Sequence, residues 1–293
     1  MVQGSSKFQK KISPYLFIAP FLLFFIIFSA LPTIISLVIS TLNWDYETDA
    51  VFVGLGNFIK LFNFDLITTR DFYDALKNTL IFVVGSVPLL VLIPFLIALL
   101  LNADIFGKKI FRAILYFPSV LSVATVAIIW IFLLDTNVGI INQMVGDYIP
   151  WITQQPYAWI SIIIMSVWWG IGGNMILFLA GLQDVPQVLM EAAEIDGANK
   201  FQKLIHIVIP SLKRTLGYVI VMTIISSFNI FGQPQMLTGG GPEKSTTTVI
   251  MHIYNTAFGS SRMGMASAMS IILGIIMIGF SVLSFKLMTG NEE

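Results

Sequence analysis

The sequence predicts an all-α integral membrane protein: six transmembrane helices with one short amphipathic insert between the fourth and fifth. Three observations predict it. Of 293 residues, 56% are hydrophobic and 11% charged, with a mean hydropathy of +0.86, whereas soluble domains carry about a quarter charged residues. Six apolar stretches, at about 15–40, 79–101, 113–134, 157–182, 216–237 and 263–285, each reach the roughly 20 residues that a helix needs to cross a bilayer. The charges between them are distributed unequally between alternate loops, which gives the chain a sidedness.

The first stretch follows Lys7, Lys10 and Lys11. Its apolar run is too long for a signal-peptide core and lacks a convincing cleavage site, so it is predicted to be an anchor. None of the six alternates as barrel strands would. Lys and Arg number three in the tail 1–14, three in 102–112, four in 183–215 and one in the tail 286–293. The other three connections, 41–78, 135–156 and 238–262, hold three, none and two. Eleven against five puts the first set in the cytoplasm. Both termini are then cytoplasmic, and 15–285 forms one membrane domain.

Those loops and tails account for all 16 basic and all 16 acidic residues, so the spans themselves are free of charge. Ion- and proton-coupled carriers keep ionisable residues within the membrane; their absence argues against a coupled carrier working alone. The net charge is zero, which gives no reason to expect a nucleic-acid partner. With no cysteine there is no disulfide, thiolate metal site or Cys nucleophile. The run GGGPEKST (Gly239–Thr246) is not a phosphate loop, because Glu243 stands where a glycine must precede the Lys. His206 and His252 fall on opposite sides of the membrane and cannot share a metal. No nucleophile–base pair is evident, so the chain is predicted to be no enzyme and to bind no cofactor itself.

The insert over 184–210 reads EAAEIDGANKFQKLIHIVIP from Glu191 to Pro210. Asp184 is placed to cap a short helix, with Gln187 completing a capping box and Pro186 in the first turn. Val185, Val188, Leu189, Ala192 and Ile195 form an apolar stripe, opposite Gln187, Glu191 and Glu194. Gly197 ends the helix. Asn199, with Gln202, opens a second, whose apolar side is Phe201, Leu204, Ile205 and Val208, and Pro210 closes or kinks it. Ala192 and Ala193 keep the first helix thin enough to enter a groove on another protein. A helix lying flat on lipid is the alternative, but such helices favour basic residues on the polar face, and here that face carries Glu.

The stretch EAAEIDGA, with Pro210 thirteen residues beyond Gly197, resembles the EAA loop of inner-membrane permeases of binding-protein-dependent ABC importers. Further stretches resemble the sugar branch of that family, the MalF/UgpA type: ALKNTLIF, FRAILYFPSVLS, GIIN, FLAGLQDVPQVLMEAAEIDGA, MLTGGGP and GMASAMS, spread from about Asp74 to Ser270. There are departures: Leu204 stands where the loop usually has an aromatic, Arg214 where a second proline often follows, and 135–156 leaves no room for a large outer insertion. The resemblance implies a type I ABC importer permease fold in a bacterial or archaeal cytoplasmic membrane. It also implies four kinds of partner: a second, MalG-like permease, a dimer of ATP-binding subunits that hold ATP and Mg, an extracellular solute-binding protein and the sugar itself. Glu191, Ala192, Ala193, Asp196, Gly197 and Pro210 would then couple the spans to the ATPase.

A path for a neutral, polar solute calls for amides, hydroxyls and aromatic faces without fixed charge. The fourth span offers WWGIGGN (Trp168–Asn174), in which Trp169 can stack on a ring and Asn174 can bond hydroxyls. The fifth offers SSFNIFGQP (Ser226–Pro234), with Ser226, Ser227, Asn229 and Gln233 polar, and with Gly232 and Pro234 marking an irregular end. The family resemblance places the sugar site on these two spans, at Trp169, Gly170, Gly173, Ser226 and Ser227. Packing between helices is the competing role for such small residues. Glycerol phosphate is an alternative cargo within the family, and a stand-alone carrier or channel is the alternative outside it.

Overall fold

A computed structural model describes residues 7–45 and 49–289. By internal contacts the chain divides into two units, Met1–Thr69 with Ile253–Ile272 and Arg70–His252 with Leu273–Glu293. Among the described residues four helices are long and apolar enough to cross a membrane, or up to six spans if each of two bent pairs is counted as one.

In the first unit, α1 (Lys7–Phe25) runs through a π-helical segment, Ile26–Ala30, into α2 (Leu31–Ser40). Pro32 has no N–H to give the carbonyl four residues back, and the helix widens just before it. No residue in the most apolar stretch of this span is buried, which suits a surface facing hydrocarbon or another subunit. Beyond it, β1 (Leu42–Asn43) pairs antiparallel with β2 (Val51–Phe52), followed by α3 (Gly56–Lys60). The buried Asn57 amide fastens this turn by donating to Ser40 O at 2.9 Å and Leu42 O at 2.8 Å.

The second unit is built around α4 (Ile67–Asn102), which begins well before the predicted apolar start at 79. The polar turns preceding the apolar run are as helical as the run itself. The stretch expected as one span over 113–134 is two helices, α5 (Lys108–Val120) and α6 (Val123–Leu133), set at 100°. The break has a local cause. Pro118 weakens the last turn of α5, Leu121 is extended, and Ser122 caps α6 by accepting from Thr125 N at 3.2 Å. Two short turns later, with α7 (Ile140–Val145) between them, α8 (Tyr157–Gln183) crosses the unit and is its most buried helix. Gly172 lets α5 come close: a Cβ there would stand 2.7 Å from Tyr116 Cα.

The polar insert follows as α9 (Gln187–Ile195), then α10 (Lys200–Lys203), a π segment (Leu204–Val208) and α11 (Ile209–Ser211). Pro210 sits just past the π segment, as Pro32 does in the first span. The 200–211 piece meets α12 (Lys213–Phe228) at 69°. The chain breaks again at 229–231 before α13 (Gly232–Leu237), so the irregular end expected around Gly232 and Pro234 is present. After α14 (Val249–Tyr254), α15 (Met263–Thr289) ends the described chain. Two apolar clusters support the unit. One joins Phe82, Trp130, Trp159, Ile162 and Met165; the other joins Phe95, Met175, Phe178, Leu182 and Leu212.

The 238–248 loop is stitched to its surroundings. Gly239 and Gly240 have φ of 61° and 86°. Thr246 and Thr248 are fully buried, and Thr248 Oγ1 donates to Ile230 O at 2.8 Å. Asn78 Nδ2 donates to the carbonyls of Lys244 and Thr247, both at 3.1 Å, and Thr79 Oγ1 accepts from Val249 N at 2.9 Å. Lys244 pairs with Asp71 at 3.1 Å, a structural use for the lysine of the apparent phosphate loop.

Candidate functional site: a charge-free cavity and a polar elbow

Within the second unit, α4, α5, α8 and α12 surround a cavity of about 400 Å³. On α8 its lining is Ser166, Trp169, Gly170, Gly173 and Asn174, the i, i+3, i+4, i+7, i+8 pattern of one helical face. On α12 it is Met222, Thr223, Ser226 and Ser227, continued past the break by Ile230 and by Gln233 on α13. Phe82 and Leu90 come from α4 and Ser119 from the end of α5. No lining residue among the described residues is charged.

Seven of the eight predicted path residues therefore meet at one hollow: Trp169, Gly170, Gly173, Asn174, Ser226, Ser227 and Gln233. Asn229 does not. It ends α12, and its amide turns back to donate to Ile225 O at 2.8 Å. Ser166 and Thr223 were legible from the helical period, three or four residues from predicted positions. Phe82, Leu90 and Ser119 carry no local signal, since only tertiary packing brings them here.

Several polar groups at the wall are already engaged. Trp169 Nε1 donates to Leu121 O at 3.1 Å, while its carbonyl accepts from Ser119 Oγ at 2.8 Å, so this Trp is locked to the break between α5 and α6. Its ring remains at the cavity. Ser166 Oγ is buried and has no hydrogen-bond partner among the described residues. A Cβ on Gly173 would meet nothing within 4 Å, so this glycine leaves open room.

The elbow on 187–211 is built from recognisable devices. At the C-end of α9, Ala198 N donates to Ala193 O at 2.9 Å and Gly197 N to Glu194 O at 3.1 Å. This is a Schellman motif, with Gly197 in the left-handed conformation at φ 76°. Asn199 and Gln202 then form the expected capping box, at 2.9 and 2.8 Å. Lys203 reaches back to Glu194 at 3.2 Å and joins the two arms. The expected cap by Asp184 is absent. Asp184 instead ends α8 with φ −83° and ψ −6°, and Pro186, extended and without a side-chain bond, precedes α9. The long span consumes the residue that an N-cap would need to be extended.

α9 has no buried residue. Val188 is 74% exposed, Ile195 88% and Phe201 68%. Glu191 and Ala192 are exposed too, and Ala193 is half-buried. Asp196 is the C-cap of α9, and Pro210 is exposed on the far arm. A hollow of about 300 Å³ lies within the elbow, bounded by Ala193, Asp196, Gly197, Lys203 and His206 among others.

A polar, uncharged cavity among helices of bilayer length is the arrangement of a membrane protein that passes a polar solute. The chain belongs to the family described as binding-protein-dependent transport system inner membrane component, whose model matches residues 67–290. It is 32% identical over 287 residues to the arabinooligosaccharides transport system permease protein AraP of Bacillus subtilis, covering 96% of this chain and 90% of that one. It is 31% identical over 284 residues to the sn-glycerol-3-phosphate transport system permease protein UgpA of Rhizobium meliloti, covering 95% of each. A crystal structure of a bacterial ABC transporter involved in the import of the acidic polysaccharide alginate has the same fold, with a TM-score of 0.82 at 21% identity, over 98% of this chain and 100% of that one.

Proposed function

We propose that the chain is the permease subunit through which an ABC importer passes a sugar or short oligosaccharide across the cytoplasmic membrane. The carrying observation is the charge-free cavity, whose hydroxyls, amide and indole face suit a neutral polyol. Its volume, about 400 Å³, falls within the usual range for small-ligand sites. Trp169, Gly170, Gly173, Asn174, Ser226, Ser227 and Gln233 line the path.

The complete importer adds a second permease, two ATP-binding subunits carrying ATP and Mg, and an extracellular solute-binding protein. Glu191, Ala192, Ala193, Asp196 and Gly197 form the elbow surface that seats in the ATP-binding subunit, and Pro210 sets the angle of its far arm. The exposed apolar stripe on α9 supports this, because such a face calls for a partner, and the Glu residues beside it fit a protein groove better than lipid. Closure of the ATPase dimer would move the elbow and rock the helices around the cavity. Both termini lie in the cytoplasm in this reading, which the bias of Lys and Arg among the loops supports.

Similarity to UgpA supports glycerol 3-phosphate as a second cargo, though an anion would find no basic group on this chain's cavity wall. The deciding experiment is ATP hydrolysis by the reconstituted complex with its binding protein, challenged in turn with arabinotriose, maltotriose and glycerol 3-phosphate. Stimulation by an oligosaccharide alone is expected. Stimulation by glycerol 3-phosphate alone would overturn the sugar reading, and uptake by this chain in vesicles without an ATPase would overturn the importer.

A further inference from the structure

Pro94 lies in the interior of α4. Proline has no N–H, so the carbonyl of Leu90, four residues earlier, loses its helical partner. In the middle of a bilayer such a carbonyl must find another donor. It has one: Asn174 Nδ2, on α8, donates to Leu90 O at 2.7 Å. The same nitrogen donates to Thr223 Oγ1, on α12, at 3.1 Å. A carbonyl can only accept, so Leu90 fixes which way the amide faces, and both N–H groups are then committed. Two neighbouring features agree. Gly170, one turn before Asn174, admits Leu90 so closely that a Cβ would stand 2.8 Å from Leu90 Cδ2. Thr223 is buried, with its hydroxyl turned to α8.

We infer that Asn174 is a positioning residue: its amide replaces the backbone donor missing at Pro94 and ties α4, α8 and α12 into one cavity wall. It shapes the path by holding three helices in register, while the solute is met by other lining groups. The inference rests on the proposed cavity as the solute path, but the clamp is testable without any solute.

The test is a double-mutant cycle in the assembled complex, using Asn174→Leu and Pro94→Ala. Alanine at 94 restores the donor to Leu90 O, so the amide becomes dispensable. Asn174→Leu alone is expected to shorten the half-life of the complex at a fixed elevated temperature about tenfold, as for a buried carbonyl left unpaired. In the Pro94→Ala background the same change is expected to shorten it less than about threefold. An equal loss in both backgrounds, or none in either, overturns the clamp. If Asn174→Leu fails to assemble, recovery on adding Pro94→Ala supports the inference, and failure of both variants overturns it. With arabinotriose as probe, a clamp lowers the maximal rate of stimulated ATP hydrolysis and leaves the apparent KM within about twofold. A rise in KM by the same factor in both backgrounds would make Asn174 a direct solute ligand. Absence of any response to arabinotriose would count against the sugar reading, and the half-life would still decide the clamp.

Discussion

Two adjacent glycines on α8 are expected to respond oppositely to the same small change. In Gly172→Ala the new methyl would stand 2.7 Å from both Ser119 Oγ and Tyr116 Cα and 2.9 Å from Leu115 O. Two of those three atoms are backbone, so no rotamer relieves the overlap. Reaching ordinary contact at 3.4 Å needs about 0.7 Å of separation between α5 and α8. Overpacking of this kind costs about 1–3 kcal/mol. The separation also stretches the Ser119–Trp169 bond, at 2.8 Å, a loss of about 1 kcal/mol. In Gly173→Ala the methyl meets nothing within 4 Å. Both variants share the gain in helix propensity, which cancels in their comparison and leaves Gly172→Ala about 2–4 kcal/mol less stable than Gly173→Ala. The assay is the temperature at which half of the detergent-solubilised complex loses its monodisperse elution. Equal temperatures for the two variants would refute the close approach of α5 to α8 on which the cavity wall depends.

Three further outcomes are expected. Gly197→Ala forces a methyl-bearing residue to hold φ 76°, at about 1–2 kcal/mol; stimulated ATP hydrolysis should fall, with Gly197→Asn, which tolerates that conformation, retaining more. Thr79→Val keeps shape but leaves Val249 N without its acceptor, so the complex should lose about 1–3 kcal/mol in thermal or denaturant unfolding. The N–H groups of Val138 and Asn137 hold the Asp135 carboxyl below its ordinary range. Its contribution to the 135–139 turn is therefore present above the ordinary carboxylate range and lost as pH falls through the depressed value. Hydrogen-exchange protection of Asn137 and Val138 should stay constant from neutral into mild acid and drop only below that range, and Asp135→Asn should abolish the dependence.

Much of the molecule was legible because a bilayer demands long apolar runs. The sequence marked the irregular end at Gly232 and Pro234 but did not show that the third run bends. The 113–134 stretch is apolar throughout, and its 100° break depends on Pro118, extended Leu121 and the Ser122 cap acting together. The cavity was half visible: polar residues in charge-free helices have few uses, and α8 and α12 supplied them at helical spacing. Phe82, Leu90 and Ser119 were invisible because packing alone brings them there. Asn229 lies off the cavity lining because, at a helix end, its amide bonds its own last turn. Asn174 does line the cavity, but its bond to Leu90 O, four residues before Pro94, could not be read from its own stretch of sequence.

If an ATP-binding subunit holds the elbow over 187–211, the absence of cysteine from this chain permits a direct measurement. A single cysteine placed by Ala192→Cys in the assembled complex, paired with single cysteines across the surface of the ATP-binding subunit, should cross-link efficiently and with a yield that changes on adding ATP. It should also be shielded from a water-soluble maleimide only when that subunit is bound. Labelling at the same rate with and without the ATP-binding subunit, and no cross-link in any nucleotide state, would contradict the account.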